Sequence, residues 1–236
     1  MVTAADALVR DLVIANRVLY AQGVVDAFGH VSVRHDADPR RFLLARNMAP
    51  GSVRGEDILE FDLDGNALQG GDRGVYLERF IHGQIYRSRP DVTSVVHSHS
   101  HAVVPFSVLP SVPLRPLWHM SGFIPQETPI FEIRDFAGDA SDLLISSNAL
   151  GQDLATVLGA ATLVLMRGHG ATVVGATLPE AVYRAVYTQK NAELQLHIIG
   201  HADAVYLTPG EAAATVQSIR TQIDRAWNLW KAEASV

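Results

Sequence analysis

The chain predicts an α/β sandwich built on a mixed or largely antiparallel sheet, and three observations predict it. Segments of helical periodicity stand near both ends and in the middle of the 236 residues. Between them run short alternating segments joined as strand-turn-strand. The regular strand-helix-strand alternation of a doubly wound parallel fold is missing. In order, apolar residues recur at helical spacing from Ala4 to Gln22 (Leu8, Leu12, Ala15, Val18, Leu19), and Gly23 is a stop signal. HVSVR at 30–34 and RFLLAR at 41–46 alternate like strands, and ILEFDLDGNAL at 58–68 reads as strand, Asp-Gly turn, strand. Residues 76–88 turn helical, with Leu77, Phe80, Ile81 and Ile85 on one side, and Pro90 ends that helix. VTSVVHSH is a short strand, and SHAVVPFSV starts a helix. Six prolines between 105 and 135 imply loops and short strands. Residues 149–159 read as a helix ended by Gly159, followed by two strands joined through the glycine turn of ATLVLMRGHGATVVG. A long helix spans 178–200, with Pro179 in its first turn and Gly200 at its end, and one final helix follows Thr208 as N-cap.

Hydrophobic residues make up 48% and charged residues 19%, an ordinary globular balance, and the net charge of −6 argues against nucleic acid or anionic membrane as partner. There is no cysteine, so any metal must be held by His, Asp or Glu. Asp6 and Asp11 interrupt the first apolar segment, which is therefore no signal peptide. No uncharged apolar run is long enough to span a bilayer, so a cytoplasmic protein is expected.

Three of the ten histidines fall in VVHSHSHAVV. In a strand, residues i and i+2 share a face, so His97 and His99 project together, near enough to hold one ion. His101 would join them only if the strand continued, which leaves it beside the site. Two surface histidines on a sheet would look the same. A third ligand decides for metal, and His169 in RGHG, bracketed by glycines between two strands, is the best source. Glu78, nineteen residues before His97, has Tyr76, Leu77 and Phe80 as neighbours. Buried, its carboxyl pKa would rise and suit acid-base work; solvated, it would be an ordinary helix-surface glutamate.

The GHVSVR segment, the glutamate nineteen before HSH, the block RSRPDVTSVVHSHSHAVVPFSV and RGHGATVVG before a long helix occur here in order. Together they resemble the class II aldolase/adducin family, the fold of fuculose-phosphate aldolase, from about Ala4 to Trp230. The resemblance implies one domain over 1–236, a three-layer αβα sandwich, and homotetramers with active sites between subunits. It implies one divalent ion per subunit on His97, His99 and His169, with Glu78 as catalytic acid/base and a possible fourth ligand. Adducin heads lack the metal histidines. This chain keeps them, which speaks against a purely structural assembly module.

Sugar-phosphate members bind phosphate through an Asn, a Thr/Ser-Gly turn and a Ser-Ser pair. Here His30 replaces the Asn, Arg46 and Asn47 stand where a small hydroxyl belongs, and Val75, Tyr76 and Leu77 precede Glu78. Each lost charge-assisted hydrogen bond is worth about 1.5–3 kcal/mol, so a sugar phosphate is not the expected substrate. His30, Ser32, Arg46, Tyr76, Arg115 and Trp118 are the candidate substrate contacts, with His119 a second candidate acid. Arginine pairs bidentately with carboxylate and aromatic side chains suit a planar ring, although Trp118 and Phe123 also fit core packing. These segments most resemble the family's decarboxylases of hydroxy-aromatic dicarboxylates, such as 3-hydroxy-2-methylpyridine-4,5-dicarboxylate and dihydroxyphthalate. The implied activity is a metal-dependent non-oxidative decarboxylation, with a class II aldolase on a sugar phosphate or small hydroxy-carbonyl compound as the alternative. Zinc is the metal expected from the ligand set, with Mn, Fe, Co, Ni or Mg also admitted.

Overall fold

The computed structural model describes residues 4–69 and 73–234. Its strands are β1 (His30–Arg34), β2 (Arg41–Ala45), β3 (Ile58–Asp62), β4 (Ser94–Ser98), β5 (Ile130–Phe131), β6 (Leu163–Met166) and β7 (Gly170–Gly175). They form one sheet in the order β3-β2-β1-β4-β7-β6-β5, antiparallel throughout except for the parallel β5–β6 pair. The sheet is therefore mixed and largely antiparallel, as the sequence predicts.

Alternation within the strands divides the apolar side chains between two cores. Val31, Val33, Leu43, Val96, Leu163, Leu165 and Val173 face one way. There they meet α1 (Asp6–Ala21), whose Leu12, Ala15, Val18 and Leu19 are buried at helical spacing. Phe42, Leu44, Val95, Val164, Met166 and Val174 face the other way, against α2 (Arg79–Ser88) through Ile81 and Ile85. Between the sheet's central and outer strands come the one-turn helices α3 (Val104–Val108) and α4 (Arg134–Ala137), then α5 (Asn148–Leu158), which packs on α2. Gly151 permits that approach, since a Cβ there would lie 2.6 Å from the Phe80 carbonyl oxygen, and Gly83 lets α2 sit against the turn after β3, where a Cβ would lie 2.5 Å from the Leu63 carbonyl oxygen. The long helix α6 (Leu178–Ile198) starts behind the Thr177 cap and buries Ala181, Val182, Ala185 and Val186 on the α1 side. The result is three layers, helices α1 and α6 on one face of the sheet, and α2 and α5 on the other.

Two elements differ from expectation. The predicted final helix is two helices, α7 (Pro209–Arg220) and α8 (Ile223–Ala234). Thr208 caps α7 reciprocally with Glu211, but at Thr221 the hydroxyl turns back to the Ser218 carbonyl and the helix breaks. The break re-aims α8 so that Trp227 and Trp230 reach the core, whereas α7 buries only Ala212. The second arm of the 58–68 hairpin is reduced to a single bridge, Phe61 to Ala67. The Asp62 carboxylate accepts from the backbone of Asp64 and Asn66, so the turn closes on itself instead of extending a strand. Among the described residues no helix is long and apolar enough to cross a membrane.

Candidate metal centre and active site

The antiparallel register sets His30 directly opposite His97, and His97 opposite Thr172. These positions share the parity of Ser32 and Val95, so all face the α2 layer. Glu78 stands at the N-cap of α2, one residue before the helix rather than inside it, and its carboxylate caps nothing. It turns to the histidines instead, with Oε2 3.5 Å from His97 Nε2 and 3.4 Å from His169 Nε2. His99 completes the group, its Nε2 3.0 Å from that of His97 and 2.9 Å from that of His169. One ligand atom from each of Glu78, His97, His99 and His169 lies within 4.8 Å of the others.

His169 arrives there because of its glycines. Gly168 turns the chain at φ +64°, and Gly170 lets the start of β7 lie close against the end of its neighbour β4, where a Cβ would stand 2.1 Å from the Ser98 carbonyl oxygen. Leu143 then fixes the ring. Its carbonyl lies 2.9 Å from His169 Nδ1, and since a carbonyl can only accept, that nitrogen carries the hydrogen and Nε2 keeps its lone pair. Leu143 is the one non-glycine residue at positive φ (69°) among those described. Such a backbone costs about 1–3 kcal/mol and persists where the surroundings over-determine it. Two residues on, the Ile145 N–H donates to Glu78 Oε1 at 3.0 Å. One short segment therefore holds both a candidate ligand and the candidate acid.

The cluster's chemistry fits a cation. Imidazole nitrogens bound to one ion at about 2.0–2.1 Å stand about 3 Å apart, as His99 Nε2 does from the Nε2 atoms of His97 and His169. A bare lone pair, two neighbouring nitrogens and a carboxylate oxygen converging on one point call for positive charge. Burial lowers the pKa of His99 to about 4, with His97 and His169 adding to the effect, and burial likewise lowers that of His97. Both are held in the neutral form that ligates. At Glu78 the expected rise does not occur. Burial does push its carboxyl up, but His97 and His169 beside it outweigh burial and hold it well below the ordinary carboxylate range. His169 moves up: burial lowers it, and the Glu78 carboxylate beside it more than restores it.

A family description, Class II Aldolase and Adducin N-terminal domain, matches residues 10–196. The chain belongs to the class II aldolase and adducin family. It is 36% identical to decarboxylase tropJ of Talaromyces stipitatus, covering 95% of this chain and 93% of that one. It is 30% identical to the 3,4-dihydroxyphthalate decarboxylase of a Terrabacter species, over 87% of each. Among solved structures, L-fuculose 1-phosphate aldolase from Glaciozyma antarctica superposes with a TM-score of 0.78 at 21% identity, covering 97% of this chain and 90% of that one. Within the class II aldolase family the chain thus falls in the decarboxylase branch and is a carboxy-lyase.

The remaining predicted contacts divide between two places. Beside the cluster, the His30 ring lies 5.0 Å from that of His97 and 4.7 Å from that of Tyr76. Tyr76 donates its hydroxyl to the Met48 carbonyl, which leaves its ring as a flat wall. Arg46, partly exposed, pairs through Nε with Asp57 at 2.7 Å. Ser32 is fully buried and occupied by His82 and Tyr86, so within this chain it supports the site from behind and touches no substrate. Arg115, Trp118 and His119 are not brought to the cluster. Their segment runs back along α6: the Arg115 N–H bonds Gln195, the Trp118 ring packs on Tyr187, and the Met120 carbonyl accepts from Tyr183. Three residues on, the Phe123 carbonyl accepts from Thr162, at the opposite end of β6 from the His169 turn. The His119 ring lines a cleft with Tyr183, Arg184 and Ile219, behind α6. The proline-rich sequence carried no period from which this path could be read. His101 is exposed and lies beside Asp26 and Glu193 at the outer edge of His99. His82 and the backbone of Leu143 and Ile145 were not legible as site groups. The only available signal was His82 and Tyr86 spaced i, i+4 on the buried side of α2.

Proposed function

We propose that the protein is a divalent-metal-dependent, non-oxidative decarboxylase of a hydroxy-aromatic carboxylic or dicarboxylic acid. The convergence of Glu78, His97, His99 and His169, in a chain similar over nearly its whole length to a decarboxylase, carries this reading. The imidazole nitrogens of His97, His99 and His169 would hold the ion, zinc first by ligand type with Mn, Fe, Co, Ni or Mg admitted. When bound, the ion supplies Lewis acidity toward a substrate carboxylate and its neighbouring hydroxyl. The chain's own residues do the rest. The ring-carboxyl C–C bond breaks with its electron pair left on carbon, and a proton must then form the new C–H bond. Glu78, anionic at rest and fixed by Ile145, takes up one proton from solvent and delivers it to that carbon, so that each CO₂ released consumes one solvent proton and Glu78 returns to its anionic form. The Tyr76 ring and the His30 edge orient the substrate plane, and Arg46 grips a second carboxylate. Only Arg46 Nε is engaged by Asp57, and its terminal nitrogens make no hydrogen bond to the described residues. In a homotetramer with sites between subunits, Arg115 and Trp118 serve the substrate from a neighbouring copy, since within one chain they lie along α6.

The deciding experiment offers hydroxy-aromatic acids and sugar phosphates to the metal-loaded protein and follows CO₂ and carbonyl release in parallel. CO₂ from an aromatic acid supports the reading. Carbonyl release from a sugar phosphate, with CO₂ from none, replaces it with an aldolase. In the same assay Arg46→Ala should weaken an aromatic dicarboxylate by about 1.5–3 kcal/mol, the worth of a charge-assisted bond, while sparing its monocarboxylate analogue. Equal losses on both would remove Arg46 from the substrate site.

A further inference from the structure

Behind the candidate metal cluster, α2 and β1 enclose a chain of polar side chains that runs from His30 through His82 and Ser32 to Tyr86, and the last three have no part in the mechanism above. His30 Nδ1 lies 2.7 Å from His82 Nε2, His82 Nδ1 lies 2.6 Å from Ser32 Oγ, and Ser32 Oγ lies 2.7 Å from the Tyr86 hydroxyl. His82, Ser32 and Tyr86 are at most 1% exposed, and no other side chain supplies them a hydrogen-bond partner.

The direction of the hydrogens follows from counting them. Tyr86 is buried and keeps its phenol proton. That proton needs an acceptor. The Thr93 carbonyl is 3.4 Å away, well beyond the about 2.5–3.0 Å of a good O–H···O bond. Ser32 Oγ, at 2.7 Å, is the acceptor left. The serine has one hydrogen and one remaining short contact, so it donates to His82 Nδ1. Both rings are buried, and burial favours their neutral form, with one ring hydrogen each. His82 must then carry its hydrogen on Nε2 and give it to His30 Nδ1. His30 is left with its hydrogen on Nε2, since its one hydrogen bond to the described residues is made through Nδ1.

We propose that Tyr86, Ser32 and His82 are positioning residues that lock His30 in its Nε2–H tautomer, so that it meets the substrate as a neutral hydrogen-bond donor. The juxtaposition of His30 with His97 and Tyr76 puts that donor beside the cluster. A neutral donor there suits an oxygen that carries or gains negative charge, such as a ring carboxylate or an ionising ring hydroxyl. It does not suit a substrate group that itself needs an acceptor. This assignment of the donated hydrogen bond rests on the decarboxylase reading, whereas the tautomer does not.

The test therefore begins without substrate. Long-range ¹H–¹⁵N spectra of the metal-loaded protein, with His30 assigned through His30→Asn, should show Nε2 protonated and Nδ1 bare. Tyr86→Phe keeps the ring and removes the first hydrogen, freeing Ser32 to turn, and His30 should become a tautomer mixture. Metal content should be unchanged. Catalytically, Tyr86→Phe should raise KM for the substrate on the order of 3–10-fold, the range for one neutral hydrogen bond, with a smaller change in kcat. His30 found protonated at Nδ1 in the parent protein would overturn the proposal, as would a Tyr86→Phe tautomer identical to the parent's. Should Tyr86→Phe fold poorly, Ser32→Ala severs the same chain one link later and must give the same mixture. A locked Nε2–H tautomer in a protein that releases no CO₂ would leave the positioning chain standing and remove only the substrate assignment.

Discussion

On the proposed reading the chemistry turns on Glu78, the only carboxylate grouped with the three imidazoles among the described residues. Glu78→Gln keeps its shape and its acceptor for the Ile145 N–H, so fold and metal content should survive. Turnover should fall roughly 10²–10⁴-fold, the contribution of an acid/base group. Metal analysis and CO₂ evolution on the same sample check this, and wild-type turnover would make Glu78 a spectator. The imidazoles themselves were readable in the sequence, since two-residue spacing in a strand and glycines around a third histidine both have direct geometric meaning. The protonation of Glu78 was not readable. Burial alone argues for a raised pKa, and only coordinates show two imidazoles close enough to reverse it.

Among the elements, the close approach of the start of β7 to the end of β4 matters most to the site. Gly170→Ala would put a methyl 2.1 Å from the Ser98 backbone oxygen, which no side-chain rotation relieves. Overpacking of this kind costs about 1–3 kcal/mol, or roughly 3–10 °C of melting temperature in a chain this size, and it should loosen metal binding by moving His169. Gly200→Ala, where nothing lies within 4 Å, is the control and should leave both unchanged. Calorimetry with a metal titration reads the two effects together. Most elements were legible because their periods are clean, as in β2, where Leu43 faces one core and Phe42 and Leu44 the other. The break at Thr221 was not legible. The apolar period continues through it, and what turns the chain is the demand of Trp227 and Trp230 for the core.

For the whole molecule, the candidate ligands come from positions 78 to 169 and meet only when the sheet has formed, so metal binding should be linked to folding. A divalent ion at about a hundred times its dissociation constant should add about 2.7 kcal/mol of stability, a rise of roughly 5–10 °C. A chelator should reverse it and His169→Ala should abolish it. A thermal shift that is indifferent to metal in the parent chain would break the linkage. Acid acts through the buried rings. Burial lowers the His82 pKa from 6.5 to about 3, with the nearby His97 adding to the effect. Between those values the unfolded chain binds a proton that the folded chain refuses. The stability His82 contributes is therefore complete above pH 6.5 and is lost as pH falls toward 3, at about 1.4 kcal/mol per pH unit for one proton. Urea midpoints at pH 7, 6 and 5 should show a shallower acid slope in His82→Asn than in the parent. Identical slopes would mean that the ring is not held neutral.

The segment from Leu143 to Ile145 also gives the enzyme a gauge that can be read from outside. Its amide at Ile145 points at one oxygen of Glu78 while its carbonyl at Leu143 grips the ring of His169. Any event that changes the charge on that carboxylate alters the field on a single, buried, well-ordered N–H. The Ile145 amide resonance should therefore move on metal loading, on acidification and on substrate binding. Each step could be timed at one backbone atom, with no label attached to the residues that perform it.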